Sequence, residues 1–148
     1  MSFSFDSHLT YIGWPLRHIQ QKRTLGIYQT DIEVNPYGIF IGAKCVATMR
    51  TIKRDKVDEL INISKSFKFC HGTPIYVGDD YKNVIGVQDI TKPKYCEWIE
   101  YPEDEVPAFW VCGLTLNNVM VKAEIDYIMC GIDNLLVCDR YNTELLDY

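Results

Sequence analysis

The sequence predicts a mixed α/β fold in which a mixed sheet is flanked by helices. Short apolar, β-branched runs alternate along the chain with segments of helical periodicity. Turns that contain glycine or proline separate these segments, and several of the turns are short enough to favour antiparallel pairs. The 148 residues suffice for one domain with a sizeable core.

The first half of the chain predicts a helix, two strands and a second helix, in that order. Ser4 can cap the first helix, which Gly13 ends. Two β-branched runs predict strands, and Gly42 interrupts the second, which is therefore long or bulged and leaves Arg50 just past its end. The second helix keeps its apolar residues on one face. These four elements cover residues 5–12, 25–34, 39–49 and 55–67.

The second half predicts short strands, one further helix and two more strands. A kinked entry at Gly72 leads into the first strand, and a turn that begins at Gly78 precedes the next one. A polar loop over 92–105 separates these strands from a long apolar run, and Thr115 caps the helix behind that run. The elements cover residues 75–77, 84–87, 106–114, 115–123, 126–130 and 134–138.

Composition excludes several classes of function. The net charge is −5 and no stripe of Lys and Arg is present, which argues against nucleic acid and an anionic membrane surface as partners. No apolar run reaches the length of a membrane span, and the N-terminus lacks the order of a signal peptide, so we expect a cytoplasmic protein.

The six cysteines lack metal-ligand spacing and are predicted to be reduced thiols, with no metal site. No phosphate-binding glycine loop or nucleotide fingerprint is present, and we predict no cofactor.

The apolar run 106–111 ends in a thiol, a glycine and a hydroxyl, at Cys112, Gly113 and Thr115. Backbone N–H groups, a thiol and a hydroxyl then converge where the chain turns, which is typical of a ligand site. The start of a helix close behind can stabilise a Cys112 thiolate, and this distinguishes it from the other cysteines. The alternative is a buried structural thiol.

His71 precedes Gly72 at the predicted entry into a strand. A histidine in this place can face a cleft and carry a proton near neutral pH, or it can bind a backbone carbonyl as a structural group. Asp79 follows Gly78 in a turn, where an aspartate either contacts substrate or serves as an ordinary turn former.

Arg17 and His18 lie where the chain resumes after the first helix. A guanidinium recognises a carboxylate with two parallel hydrogen bonds, so Arg17 or Arg50 can hold the carboxylate of a substrate. Each arginine can equally form an ion pair with one of the twenty acidic residues.

Stretches similar to one known family run almost from end to end. They are 2–6, 15–19, 28–30, 38–40, 49–50, 69–74, 78–79, 85–86, Asp89, 93–95 and 106–115. On these residues the chain resembles the D-glutamate cyclase family, whose members are also labelled hydro-lyases. The resemblance implies a two-lobed αβ protein that closes D-glutamate to 5-oxo-D-proline with loss of water.

The resemblance also implies roles for the residues above. Arg17 or Arg50 would hold a carboxylate, His71 would carry the proton, and the group at the end of the strand would face the reacting carbonyl. The catalytic residues are therefore predicted to be His71, Cys112 and Thr115, and the substrate-binding residues Arg17, His18, Arg50, Gly72, Asp79 and Gly113.

Two departures from the family pattern shape the expected function. Residues 130–135 stand where family members carry a His-Ala-Pro-Gly-His-Met stretch, and residues 1–148 form one domain without the N-terminal segment of the family. We therefore expect a homodimer that covers the surface the lobe would have buried, a companion chain that supplies the lobe, or a remade site. An enzyme acting on a small amino acid, an altered activity in a specialised biosynthetic pathway and a non-catalytic binding domain all stay open.

Overall fold

The computed structural model describes residues 6–11, 13–67 and 71–126, together with Asp139 and Glu144. Its centre is a four-stranded sheet with the order β1-β2-β4-β3, in which every strand pair is antiparallel. The strands are β1 (Ile27–Glu33), β2 (Lys44–Lys53), β3 (Tyr76–Val77) and β4 (Glu105–Val111). Helices accompany this sheet, and the predicted mixed α/β class is confirmed.

Five α-helices accompany the sheet in the described residues. They are α1 (Asp6–Tyr11), α2 (Arg17–Gln20), α3 (Val57–Lys65), α4 (Tyr81–Ile85) and α5 (Thr115–Lys122). Gly13 follows α1 with a φ of +81°, in agreement with the predicted stop signal. Leu60 and Ser64, four positions apart, are the buried residues of α3, as its amphipathic pattern predicts.

The pairing of β2 with β4 forms the middle of the sheet and runs from Ala47 opposite Val111 to Lys53 opposite Glu105. Because side chains alternate along a strand, β4 supplies both faces of the core. Ala108 and Trp110 pack with Leu60 in one cluster, whereas Phe109 packs in the other. The second cluster includes Tyr28, whose ring meets that of Phe109 edge-on with 5.7 Å between centroids.

Three predicted boundaries are wrong. Residues 39–43 do not belong to a strand, and β2 continues to Lys53, so Arg50 lies within the strand rather than past its end. Burial explains why the strand extends past Met49, because the residues from Cys45 to Arg50 are all buried. Glu105 likewise begins β4 instead of ending a loop.

The predicted strand 84–87 is also wrong, because residues Tyr81–Ile85 form α4. Ile85 is buried by this helical turn, and Gly86 ends the turn in the left-handed conformation with a φ of +76°. The two strands predicted over 126–138 lie outside the described residues, apart from Asp126. Across the part of the chain that is described, no helix combines the length and the apolar character needed to cross a bilayer.

Candidate functional site

A cavity of about 510 Å³ lies where α1, α2 and α3 meet β2 and β4. Its apolar wall includes Leu9, Trp14, Leu16, Leu60 and Trp110. Four cationic side chains and two carboxylates also contribute to it, namely Arg17, Arg50, Lys53, Lys56, Glu59 and Glu105. The protein as a whole carries a charge of −5, so this excess of cationic groups is local to the cavity. Lys53, Lys56 and Glu59 are exposed to solvent, and an excess of cationic groups over carboxylates attracts small anions.

Arg50 reaches the cavity from the middle of β2, opposite Ala108 on β4. The guanidinium lies over the ring of Trp110, with 5.9 Å to its centroid. Asp6 at the start of α1 accepts two hydrogen bonds from Arg50, with 2.8 Å from Nε to Oδ1 and 3.0 Å from Nη2 to Oδ2. This fork geometry is the arrangement that compensates two buried charges best.

His18 lies beside this pair, with 3.6 Å between its Nε2 and Oδ2 of Asp6. The side chain is buried and contributes to the cavity wall. Burial lowers the pKa of His18; the Asp6 carboxylate opposes this shift and the Arg50 guanidinium adds to it. The imidazole is therefore held in its neutral form at neutral pH, in which one ring nitrogen can accept a proton.

Arg17, the first residue of α2, binds Glu105 at the start of β4. Nε and Nη2 of Arg17 both donate to Oε1 of Glu105, at 3.0 and 2.5 Å, and this bond raises the pKa of Arg17. The Glu105 side chain is only 1% exposed, whereas that of Arg17 is 29% exposed. Arg17 thus joins a buried carboxylate to the accessible wall of the cavity.

The structure brings together only part of the predicted constellation. Arg17, His18 and Arg50 contribute to the cavity, but among the described residues His71 and Gly72 do not. Nδ1 of His71 lies 2.6 Å from the carbonyl oxygen of Val111, and the Gly72 carbonyl accepts a hydrogen bond from the indole of Trp110. The contact of His71 is the structural alternative weighed above, and its predicted proton transfer stays a prediction.

The group at the end of β4 is also apart from the cavity. Cys112 donates its N–H to the carbonyl of Val46 at 2.7 Å and so continues the β2–β4 ladder. Thr115 is the first residue of α5 rather than its cap, and its hydroxyl accepts from the N–H of Val46 and donates to its carbonyl. The backbone of Gly113 is exposed at this turn. The catalytic roles predicted for Cys112 and Thr115 stay predictions.

Asp79 lies on the surface, where its Oδ2 is 2.7 Å from Nη1 of Arg54. Both side chains are about half exposed, at 57% and 49%. This surface ion pair is the kind of contact that either partner can lose with little effect on stability. The predicted binding of substrate by Asp79 stays untested.

Sequence reasoning missed Asp6 and Glu105 as members of the site. Asp6 lies in the first turn of α1, where an aspartate is favourable for a local reason alone, and Glu105 was predicted to end a polar loop. One signal could have indicated Glu105, namely its place directly before an apolar run. A charged residue in that place is buried with the strand if the strand begins one residue earlier. Their partners lie 44 and 88 positions away, beyond the range of any local pattern.

Comparisons with known proteins identify similar sequences. The profile of the D-glutamate cyclase family matches residues 1–139. A protein of Clostridium beijerinckii named "Putative hydro-lyase" is 35% identical over 145 residues, which is 97% of this chain and 54% of that relative. A Pseudomonas aeruginosa protein with the same kind of name is 35% identical over the same shares of the two chains. A third, from Corynebacterium jeikeium, is 33% identical over 87% of this chain and 46% of its own length. The chain thus spans about half the length of these relatives.

Proposed function

Because this chain belongs to the D-glutamate cyclase family, we propose that it takes part in a lyase reaction on a small, acidic amino acid. The proposed reaction is the closure of D-glutamate to 5-oxo-D-proline with release of water. The proposed site is the cavity between α1, α2, α3 and the sheet. If the substrate is instead a related amino acid with an altered side chain, the same site and the same class of reaction apply.

The observation that carries the proposal is the charge of the cavity wall. Four cationic side chains face two carboxylates there, or three when Asp6 behind Arg50 is included, in a protein of net charge −5. Arg17 is the best placed to hold a substrate carboxylate, because it is partly exposed and, within the described residues, its Nη1 donates only to Gln20 at 3.2 Å. Arg50 is buried and its charge is compensated by Asp6, so it is less available to a substrate carboxylate than Arg17.

The reaction requires a group that accepts and returns a proton. A C–N bond forms between the amine and the side-chain carboxyl carbon, and a C–O bond of that carboxyl breaks. The two protons that leave the ammonium nitrogen depart with the oxygen as water, so no oxidant or reductant is needed. The neutral imidazole of His18 suits this transfer, since it lies in the cavity wall and burial keeps its pKa below the usual range.

The test is formation of 5-oxoproline from D-glutamate, followed by NMR, for the wild type and for two matched variants. We expect turnover by the wild type, a loss of about 10²–10⁴-fold in His18→Gln and a smaller effect in His71→Gln. Loss in His71→Gln with full activity in His18→Gln would move the reaction to the end of β4. No turnover of D-glutamate or related acids by the folded wild type would refute the proposed reaction.

One observation favours a second candidate, a binding domain without catalysis. Arg17 and Arg50 are each already held by a buried carboxylate, which is also how structural ion pairs look. In that case D-glutamate or 5-oxoproline would raise the melting temperature, because a ligand of the folded state stabilises it by mass action, but no product would form.

A further inference from the structure

The two buried carboxylates beside the cavity are satisfied to different degrees. Both oxygens of Asp6 receive hydrogen bonds from Arg50. In Glu105, by contrast, both bonds from Arg17 go to Oε1, and Oε2 has no hydrogen-bond partner within the described part of the chain. A buried charged oxygen without a partner is unfavourable, and such a group in a native protein calls for an explanation.

The position of Glu105 suggests why its Oε2 lacks a partner among the residues described. Its side chain is almost fully buried, yet the residue forms part of the cavity wall. The terminal torsion of a glutamate has a broad energy minimum, so we take Oε2 to reach the cavity by a modest rotation of the carboxylate with the strand in place. The ligand group that matches such an oxygen is a compact cation with several N–H donors, and an ammonium group meets both requirements.

We propose that Oε2 of Glu105 receives the ammonium group of the substrate and makes the site selective for acids that carry an amine. Arg17 connects the two halves of this recognition. It neutralises Oε1 of Glu105, and its Nη1, whose hydrogen bond to Gln20 is exposed, is the atom that takes the carboxylate in this proposal. A zwitterionic amino acid thus meets a donor and an acceptor held together by one ion pair. This inference rests on the proposed function, because it takes the cavity to be the substrate site.

The experiment compares two ligands that differ only in the amine, D-glutamate and glutarate, by calorimetric titration. The quantity of interest is the ratio of the two dissociation constants in the wild type and in Glu105→Gln. We expect the preference for D-glutamate over glutarate to fall by roughly ten- to hundred-fold in the variant, as for a lost hydrogen bond between charged groups. Glu105→Asp, which keeps the charge on a shorter arm, should show a smaller fall, and it replaces Glu105→Gln if that variant does not fold.

Glu100→Gln is the matched control, because Glu100 is exposed and its carboxylate lies 3.7 Å from Arg23, away from the cavity. A change in the ratio of less than threefold in Glu105→Gln, an equal change in the control, or no binding of either acid to the wild type overturns the inference. Turnover of D-glutamate by the wild type with an unchanged ratio overturns it while leaving the proposed reaction standing. A changed ratio without turnover supports amine recognition and refutes the cyclase reaction instead.

Discussion

Asp6 and Arg50 show why a buried charge in this protein depends on one particular partner. Each side chain is at most 10% exposed, and the two hydrogen bonds between them replace the water that both groups lose on folding. Removing one partner of such a pair typically costs about 3–5 kcal/mol, because the other charge is left uncompensated. This ion pair therefore holds α1 to β2 in addition to apolar packing.

His18 yields a prediction about the pH dependence of stability. Its pKa in the folded protein lies below the value of about 6.5 in the unfolded chain. As the pH falls through about 6.5, the unfolded chain binds the proton first, so the free energy of unfolding decreases until the folded-state pKa is reached. We expect urea unfolding to show a smaller loss of stability between about pH 7.5 and pH 5.5 in His18→Gln than in the wild type. An equal loss in both proteins would show that His18 is not the group that titrates.

At the scale of elements, the packing of α4 against β1 depends on Gly86, whose backbone lies close to Asp31 of β1. Gly86 ends α4 with a φ of +76°, and a Cβ built on it would lie 2.8 Å from the Cβ of Asp31 on β1. Val84 and Ile85, which belong to the predicted strand 84–87, are helical instead, because the turn buries Ile85 in the second core cluster.

Gly86→Ala should destabilise the protein for two reasons. The left-handed conformation costs an L-residue about 1–2 kcal/mol, and the contact with Asp31 adds to this because β1 must shift. Gly38→Ala is the control, since Gly38 has a φ of +56° but nothing within 4 Å of its built Cβ. Chemical denaturation should show a larger loss for Gly86→Ala than for Gly38→Ala, and equal losses would mean that the contact with Asp31 is relieved without cost.

At the scale of the whole molecule, apolar side chains stand exposed on the connection between β1 and β2. Tyr37, Ile39 and Ile41 are 83%, 60% and 59% exposed. Grouped apolar side chains at a surface are more common at interfaces than on the rest of a monomer. This surface agrees in character with the expected homodimer, which stays a prediction.

Sedimentation velocity tests that expectation. We expect the wild type to sediment as a dimer and the double variant Ile39→Lys/Ile41→Lys to shift toward the monomer, because two charges would have to be desolvated in the interface. Since both side chains are exposed, circular dichroism should show an unchanged fold. A wild type that stays monomeric at every accessible concentration would contradict the prediction.

Local patterns were sufficient for much of the fold. The apolar run of β4, the amphipathic period of α3 and the helix that follows the Cys-Gly-Leu-Thr turn were all predicted within a few residues of their bounds. Such patterns work because the same side chain that favours a backbone conformation also determines which face is buried. The family relationship follows from collinear stretches and is confirmed by the match over residues 1–139.

Local sequence patterns were enough to predict the α/β class, most elements and three candidate site residues that line the cavity, Arg17, His18 and Arg50. Three-dimensional packing was needed to show that Arg50 lies within β2, that Glu105 lines the cavity with Asp6 bound to Arg50, and that His71 and Thr115 do not line it. The physical reason is that a strand period or a helix cap is set by neighbours a few positions away. The partner of a buried charge is set instead by how the helices and the sheet pack, and this joins residues 44 and 88 positions apart.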